Sequence, residues 1–233
     1  MGTLTGKTVL VTGGRRGLGA AIVDEALRRG AAKIYSTARA EFTDDRPAVH
    51  PRVLEVRSVE SVAALAAEAT DVDVVINNAG VLLPAPLLTA ELGSVDETFD
   101  VNVLGPLRVA RAFAPILAAR GGGALVTALS ALSWLGGTGA YGASKAAAWS
   151  ITNSLRIELA AQGTQVVGVH AGFIDTDMVA AMAVPKTSPD EVAARILDGL
   201  ERGDAEVLAD TVTENVKKAL SGPVTDLTVE LAR

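Results

Sequence analysis

The stretch VLVTGGRRGLGAAIVDEALRRG, Val9 to Gly30, decides how the rest of the chain is read. An apolar run ends in a turn containing Gly13, Gly14, Gly17 and Gly19, and that turn opens directly into an amphipathic helical pattern. A strand, a tight glycine turn and a helix start together present free backbone N–H groups and the positive end of the helix macrodipole to an anion. The absent side chains let a phosphate come close to the backbone. The alternative is that the glycines make nothing more than a tight strand-to-helix turn. Position in the first strand–helix unit favours the phosphate reading, because open parallel sheets bind ligands beyond the carboxyl ends of their strands.

Working outward, apolar β-branched runs recur near Val9, Ile34, Val53, Val75, Val126, Val167 and Val207. Helical patterns at 20–29, 59–69, 95–120, 141–161 and 189–202 alternate with them. This rhythm predicts an α/β fold, a doubly wound parallel sheet of about seven strands with helices on both faces. The chain of 233 residues, 49% hydrophobic and only 3% aromatic, suits one domain over residues 1–233 built from aliphatic strands and close helices. The tail TVTENVKKALSGPVTDLTVELAR, from Thr211, is weakly patterned and receives no assignment.

A formal charge of -6 with no basic block argues against a nucleic-acid partner. The chain has no cysteine and only two histidines, so no thiol chemistry and no metal motif is expected. The start lacks the pattern of a signal peptide and no run reaches about 18 uninterrupted apolar residues, so a cytoplasmic protein off the membrane is expected.

Four further motifs follow in order: NNAG (Asn77 to Gly80), a buried-type Asn102 in DVNVLGP, VTALS ending at Ser130 ahead of Tyr141 and Lys145, and VHAGFIDTDM from His170. Tyr141 and Lys145 are an i, i+4 pair sharing one helix face, a spacing that is also ordinary helix decoration. Together with T-G-x-x-x-G-x-G at Thr12 to Gly19, these motifs make nearly the whole chain, through Asp210, resemble a short-chain dehydrogenase/reductase of the compact, non-extended kind. A sugar-nucleotide epimerase on the related extended fold is disfavoured by the glycine spacing.

The resemblance implies reversible hydride transfer between a nicotinamide dinucleotide and a neutral carbonyl or secondary alcohol. It makes Tyr141 the general acid, Lys145 the residue that tunes it and binds the nicotinamide ribose, Ser130 the group that orients the carbonyl, and Asn102 the holder of a relay water. Ser133 competes with Ser130, because the interval to Tyr141 is about two residues shorter than the family's and Leu135 to Gly139 must absorb the difference. A tyrosine with ordinary pKa ~10 needs ~2.7 kcal/mol to titrate two units lower, and a nearby ammonium is expected to supply it.

For the cofactor the resemblance implies Gly13, Gly17, Leu18 and Gly19 at the pyrophosphate, Asn78, Ala79 and Gly80 at the adenosine ribose, and Gly172, Ile174 and Thr176 at the carboxamide. Ala171 stands where the family has proline. The second strand ends in STAR with no acidic residue, and Arg39 and Arg16 are expected to hold the 2′-phosphate, so the expected cofactor is NADP(H). The alternative is two solvated surface arginines. Glu55 takes the adenine-contacting position, or is an ordinary charged strand end. Residues 175–190 form a short substrate-side segment, and its few charges suit a neutral substrate. A homodimer or homotetramer is expected by resemblance, through helix faces such as Ala143, Ala146 and Ala147. The competing class is a non-catalytic NADP(H)-binding regulator on the same fold.

Overall fold

Val9, Leu10 and Val11 are wholly buried because β1 (Thr8–Val11) is the centre of a sheet covered on both faces. In the computed structural model, which describes residues 3–83 and 86–229, β1 is followed by α1 (Gly17–Arg28), β2 (Lys33–Ala38), β3 (Val49–Val53), α2 (Val59–Glu68) and β4 (Val74–Asn77). Then come α3 (Leu92–Phe99), α4 (Gly105–Ala119), β5 (Ala124–Ala128), α5 (Gly139–Glu158), β6 (Gln165–His170), α6 (Pro189–Arg202), β7 (Glu206–Leu208) and α7 (Thr211–Ala219). The seven strands form one parallel sheet in the order β3-β2-β1-β4-β5-β6-β7. Strand order reverses between β1 and β4, and a crevice opens there at the carboxyl ends of the strands.

Strand alternation divides the core. Val9, Val11, Val74 and Ile76 face one side with α1 and α6, while Leu10, Val75 and Leu125 face the other with Phe113 and Leu117 of α4. Helical residues Leu92–Ala119 include an 18-residue window of mean hydropathy 1.2, and burial of Val109, Phe113 and Leu117 against the sheet accounts for that apolarity.

Three elements differ from the sequence expectation. β3 lies at Val49–Val53, ending at Val53 rather than running through it: it is an edge strand, where Pro51 is tolerated, and the alternating Leu54 and Val56 bury their side chains after the ladder has ended. The helix expected over 95–120 is interrupted by a π turn at Asp100–Leu104, with the Gly105 N–H bonded to the Asp100 carbonyl. Pro106 has no N–H to return to Asn102, so the regular ladder cannot run through this point. The tail contains α7, capped by Asp210, whose carboxylate accepts from the Thr213 N–H at 2.8 Å while the Thr213 hydroxyl accepts from the Asp210 N–H at 3.3 Å. Residues 230–233, the end of the unassigned tail, lie outside the described residues.

Candidate functional site

The glycine turn leaves its backbone bare at the start of α1. Gly13 and Gly17 have φ of +68° and +54°, and a Cβ on Gly19 would collide with the Gly13 carbonyl. α1 has no side-chain cap and no acidic residue in its first turn. Ser58, Ser188 and Asp210 by contrast each cap a helix start with a side-chain oxygen. The first-turn donors of α1 therefore stay available to an outside anion. Leu18 packs on the core beneath the turn together with Ile174.

The turn is braced from β4. The Thr12 hydroxyl accepts from the Asn78 and Ala79 N–H groups, both at 3.0 Å, and the Asn78 side chain donates to the Thr12 carbonyl at 3.0 Å. Thr12 thus belongs to the site; the sequence reading used it only as the start of a motif. Gly80 leaves the floor of the crevice bare, since a Cβ there would lie 3.2 Å from Asn102 Oδ1 and 3.7 Å from Lys145 Nζ. Gly17 faces Thr176 across the mouth, a Cβ on it coming within 3.2 Å of the threonine methyl. Gly172 is held by its N–H, which donates to Asp210 Oδ2 at 2.6 Å.

Ser130, Tyr141 and Lys145 converge at the end of β5. Ser130 is the side chain that acts on the Tyr141 phenol, drawing it down against its burial. Ser130 Oγ also accepts from the Leu132 N–H at 3.1 Å, while Lys145 Nζ donates to the Ala128 carbonyl at 2.8 Å and lies 5.7 Å from the Tyr141 ring centroid. Ser133 is spent elsewhere: its hydroxyl donates to the Ser130 carbonyl and lies 3.3 Å from His170 Nδ1. The two competing serines thus have different partners.

Electrostatics here runs against the simple ammonium–phenol argument. Burial pushes the Tyr141 phenol up to about 12, its bond with Ser130 pulling the other way, and burial alone brings the Lys145 ammonium down to about 8. Desolvation of the charged form is the largest influence on each group.

Asn102, in the π turn, accepts from the Val81 N–H at 2.9 Å and donates to the Val81 carbonyl at 3.0 Å and to Ser144 Oγ at 3.1 Å. Ser144 donates to the Tyr141 carbonyl at 2.6 Å. Both amide hydrogens of Asn102 are thus used by protein partners. Ser144 is a site residue that no motif in the sequence singles out.

On the adenosine side the arginines diverge. Arg16 turns across the mouth to Asp177, Nη1 to Oδ2 at 3.5 Å, both side chains well exposed. Arg39 is exposed beyond β2. Arg15, left without a role in the sequence reading, lies with its guanidinium carbon 5.9 Å from the Phe42 ring centroid and lines a cavity of about 370 Å³ with Gly14, Thr43 and Arg46. Glu55 is occupied by Arg57, which donates to it from its backbone N–H at 3.0 Å and from its guanidinium at 3.2 Å. The substrate-side segment is pinched at its neck by an Ile174–Thr187 bridge, the Asp175 N–H donating to the Thr187 carbonyl at 2.9 Å.

Comparison with known proteins gives this arrangement a family. A family model described as short chain dehydrogenase matches residues 7–186. A short chain dehydrogenase from Burkholderia cenocepacia J2315, solved in complex with NADP, is similar at TM-score 0.92 and 35% identity, with 97% of each chain covered. The ketoacyl reductase HetN of Nostoc sp. is 28% identical, over 94% of this chain and 85% of its own length. The 1-deoxy-11-beta-hydroxypentalenate dehydrogenase of Streptomyces exfoliatus is 31% identical, over 83% and 79%. With the glycine turn, the Asn-braced β4 end and the Ser130–Tyr141–Lys145 group all falling inside the matched residues, the chain belongs to the short chain dehydrogenase family.

Proposed function

We propose that this protein is an NADP(H)-dependent reductase of a neutral carbonyl, reversible as an alcohol dehydrogenase, with Tyr141 as its acid. The observation that carries the reading is Lys145 one helical turn from Tyr141 and 5.7 Å from its ring, with Nζ bonded at 2.8 Å to the Ala128 carbonyl, two residues before Ser130. NADPH, when bound, supplies the hydride. The carbonyl oxygen becomes negative as it is reduced, so donors about 3 Å away stabilise it. Ser130 Oγ–H holds that oxygen and Tyr141 Oη–H gives it a proton. A phenol raised to about 12 stays protonated at neutral pH, which suits the reductive direction. Lys145 Nζ, beside the bare Gly80, is placed to leave Ala128 for the ribose hydroxyls and to carry positive charge toward the phenolate left behind. Asn102 acts through Ser144, fixing the first turn of α5 on which Tyr141 sits.

Gly13, Gly17, Leu18 and Gly19 are assigned to the pyrophosphate, Asn78, Ala79 and Gly80 to the adenosine ribose, and Gly172, Ile174 and Thr176 to the carboxamide. For the 2′-phosphate we assign Arg39 and Arg16, with Arg15 at the neighbouring cavity. NADP in the Burkholderia relative, 35% identical, supports this choice. Arg16 must give up Asp177, a loss that costs little because the pair is exposed. Glu55, held by Arg57, is the weakest of the adenosine assignments.

Loss of NADPH absorbance over a panel of ketones and aldehydes tests the reading, alongside KM for NADPH and NADH in wild type and Arg39→Asp. Turnover with NADPH preferred at least about tenfold, and that preference lost in the variant, is expected from one charge-assisted bond. Tight binding with no turnover on any carbonyl would instead make the protein a regulator. A homodimer or homotetramer is inferred from the family, and a monomer by light scattering would refute it.

A further inference from the structure

The family match ends at residue 186, yet the chain beyond it returns to the catalytic loop. Gly136, midway between Ser130 and Tyr141, forms a parallel bridge with Thr228: its N–H donates to the Leu227 carbonyl at 2.7 Å, and its carbonyl accepts from the Val229 N–H at 3.1 Å. Gly137 has φ +84°, and any Cβ there would collide with the Val229 carbonyl, so the glycines of this loop are shaped by the tail lying on them.

The same C-terminal region holds the start of the loop. Trp134 stacks on the buried His170 at 3.8 Å and meets Trp149 edge-on at 5.9 Å. Lys217 of α7 lies 5.0 Å and 5.6 Å from the two tryptophan rings and is anchored to Glu206 at 2.8 Å. His170 Nδ1 lies 3.1 Å from the Ser130 carbonyl. Between these two grips the chain has only Leu135, and Tyr141 follows Gly136 by five residues. An interval shorter than the family's needs an outside support to keep Tyr141 opposite Ser130.

We propose that the C-terminal segment from Asp210 to Val229 is a positioning element of the active site, in which the backbone of Leu227–Val229 clamps Gly136 and thereby sets Tyr141 against Ser130. The proposal rests on the reading of these two residues as the reacting pair. Val229→Pro deletes one N–H near the end of the described chain, whereas Val229→Ala keeps it.

In the full-length protein, amide exchange over 136–141 is expected to accelerate about tenfold in Val229→Pro and to stay at the wild-type rate in Val229→Ala. On a carbonyl that the wild type reduces, kcat is expected to fall about tenfold in the proline variant alone, with NADPH Kd unchanged. Unchanged exchange in Val229→Pro overturns the clamp whatever the substrate panel shows. Faster exchange with unchanged kcat overturns its role in positioning, and so does an equal loss in both variants. A wild type that reduces no carbonyl while exchange still accelerates in the proline variant supports the clamp and overturns the reductase reading instead.

Discussion

Lys145 carries an ammonium into a place that is 6% exposed, with one carbonyl for company. Its folded value of about 8 against an ordinary 10.5 means that the unfolded chain binds more protons between those limits. Stability of the free protein therefore rises as pH goes from about 8 to 10.5, and at pH 7 the buried charge is a burden. Lys145→Met is expected to raise stability at pH 7 by on the order of 1 to 3 kcal/mol while abolishing turnover, and to flatten the rise above pH 8. A thermal melt series across pH 6.5 to 10 checks this; a lower melting temperature for the variant at pH 7 would show that the bond to Ala128 outweighs desolvation. At this scale the sequence named Tyr141, Lys145 and Ser130 because a helix repeat and a strand end place them. It put Ser130 ahead of Ser133 by counting from the strand end, but it could not show that Ser133 is drawn to His170, far away in the chain. Nor could spacing reveal that Asn102 is used up on Val81 and Ser144, two partners brought to it by separate elements.

Among the elements, α1 and α6 pack side by side on one face of the sheet, and Arg29 links them. Its guanidinium, 11% exposed, donates to Glu25 at 2.7 Å, Asp198 at 2.7 Å, Glu201 at 2.8 Å and the Ala194 carbonyl at 3.1 Å. Arg29→Met leaves Asp198 and Glu201 without their cation, while Glu25 keeps Arg28, and a loss of about 1 to 3 kcal/mol is expected, short of a fully buried pair because Asp198 is half exposed. Urea unfolding should show a lower midpoint at constant slope; an unchanged midpoint would mean that water replaces the arginine without cost. Strands and long helices were legible because their patterns repeat over many residues. Gly105 and Pro106 marked a disturbance of the ladder inside the long helix, though not its form as a π turn. α7 was not legible, because it is fixed by an Asp210–Thr213 cap in which threonine stands where glutamate or glutamine is usual.

For the molecule as a whole, a dinucleotide spanning the crevice would touch β1, β2, β4 and β6 ends at once, so its binding couples to global stability. NADPH at a hundredfold its Kd is expected to stabilise the protein by about 2.7 kcal/mol, a rise in melting temperature of roughly 5 to 10 °C, with a clearly smaller rise at the same concentration of NADH. Equal rises would remove the case for arginine selection of the 2′-phosphate. By itself the sequence determined the sheet class, the bare glycine turn and the order of the family's motifs, because each is written in local spacing: glycines where backbone must be bare, apolar runs where strands are covered on both faces, a tyrosine and lysine one turn apart. Only the tertiary structure decided where Ser133, Arg15 and Arg16 turn, how burial sets the two pKa values, and that the tail lies on the loop between Ser130 and Tyr141. Those outcomes depend on residues distant in the chain meeting across a crevice, where desolvation and shared partners, rather than spacing, set the energies.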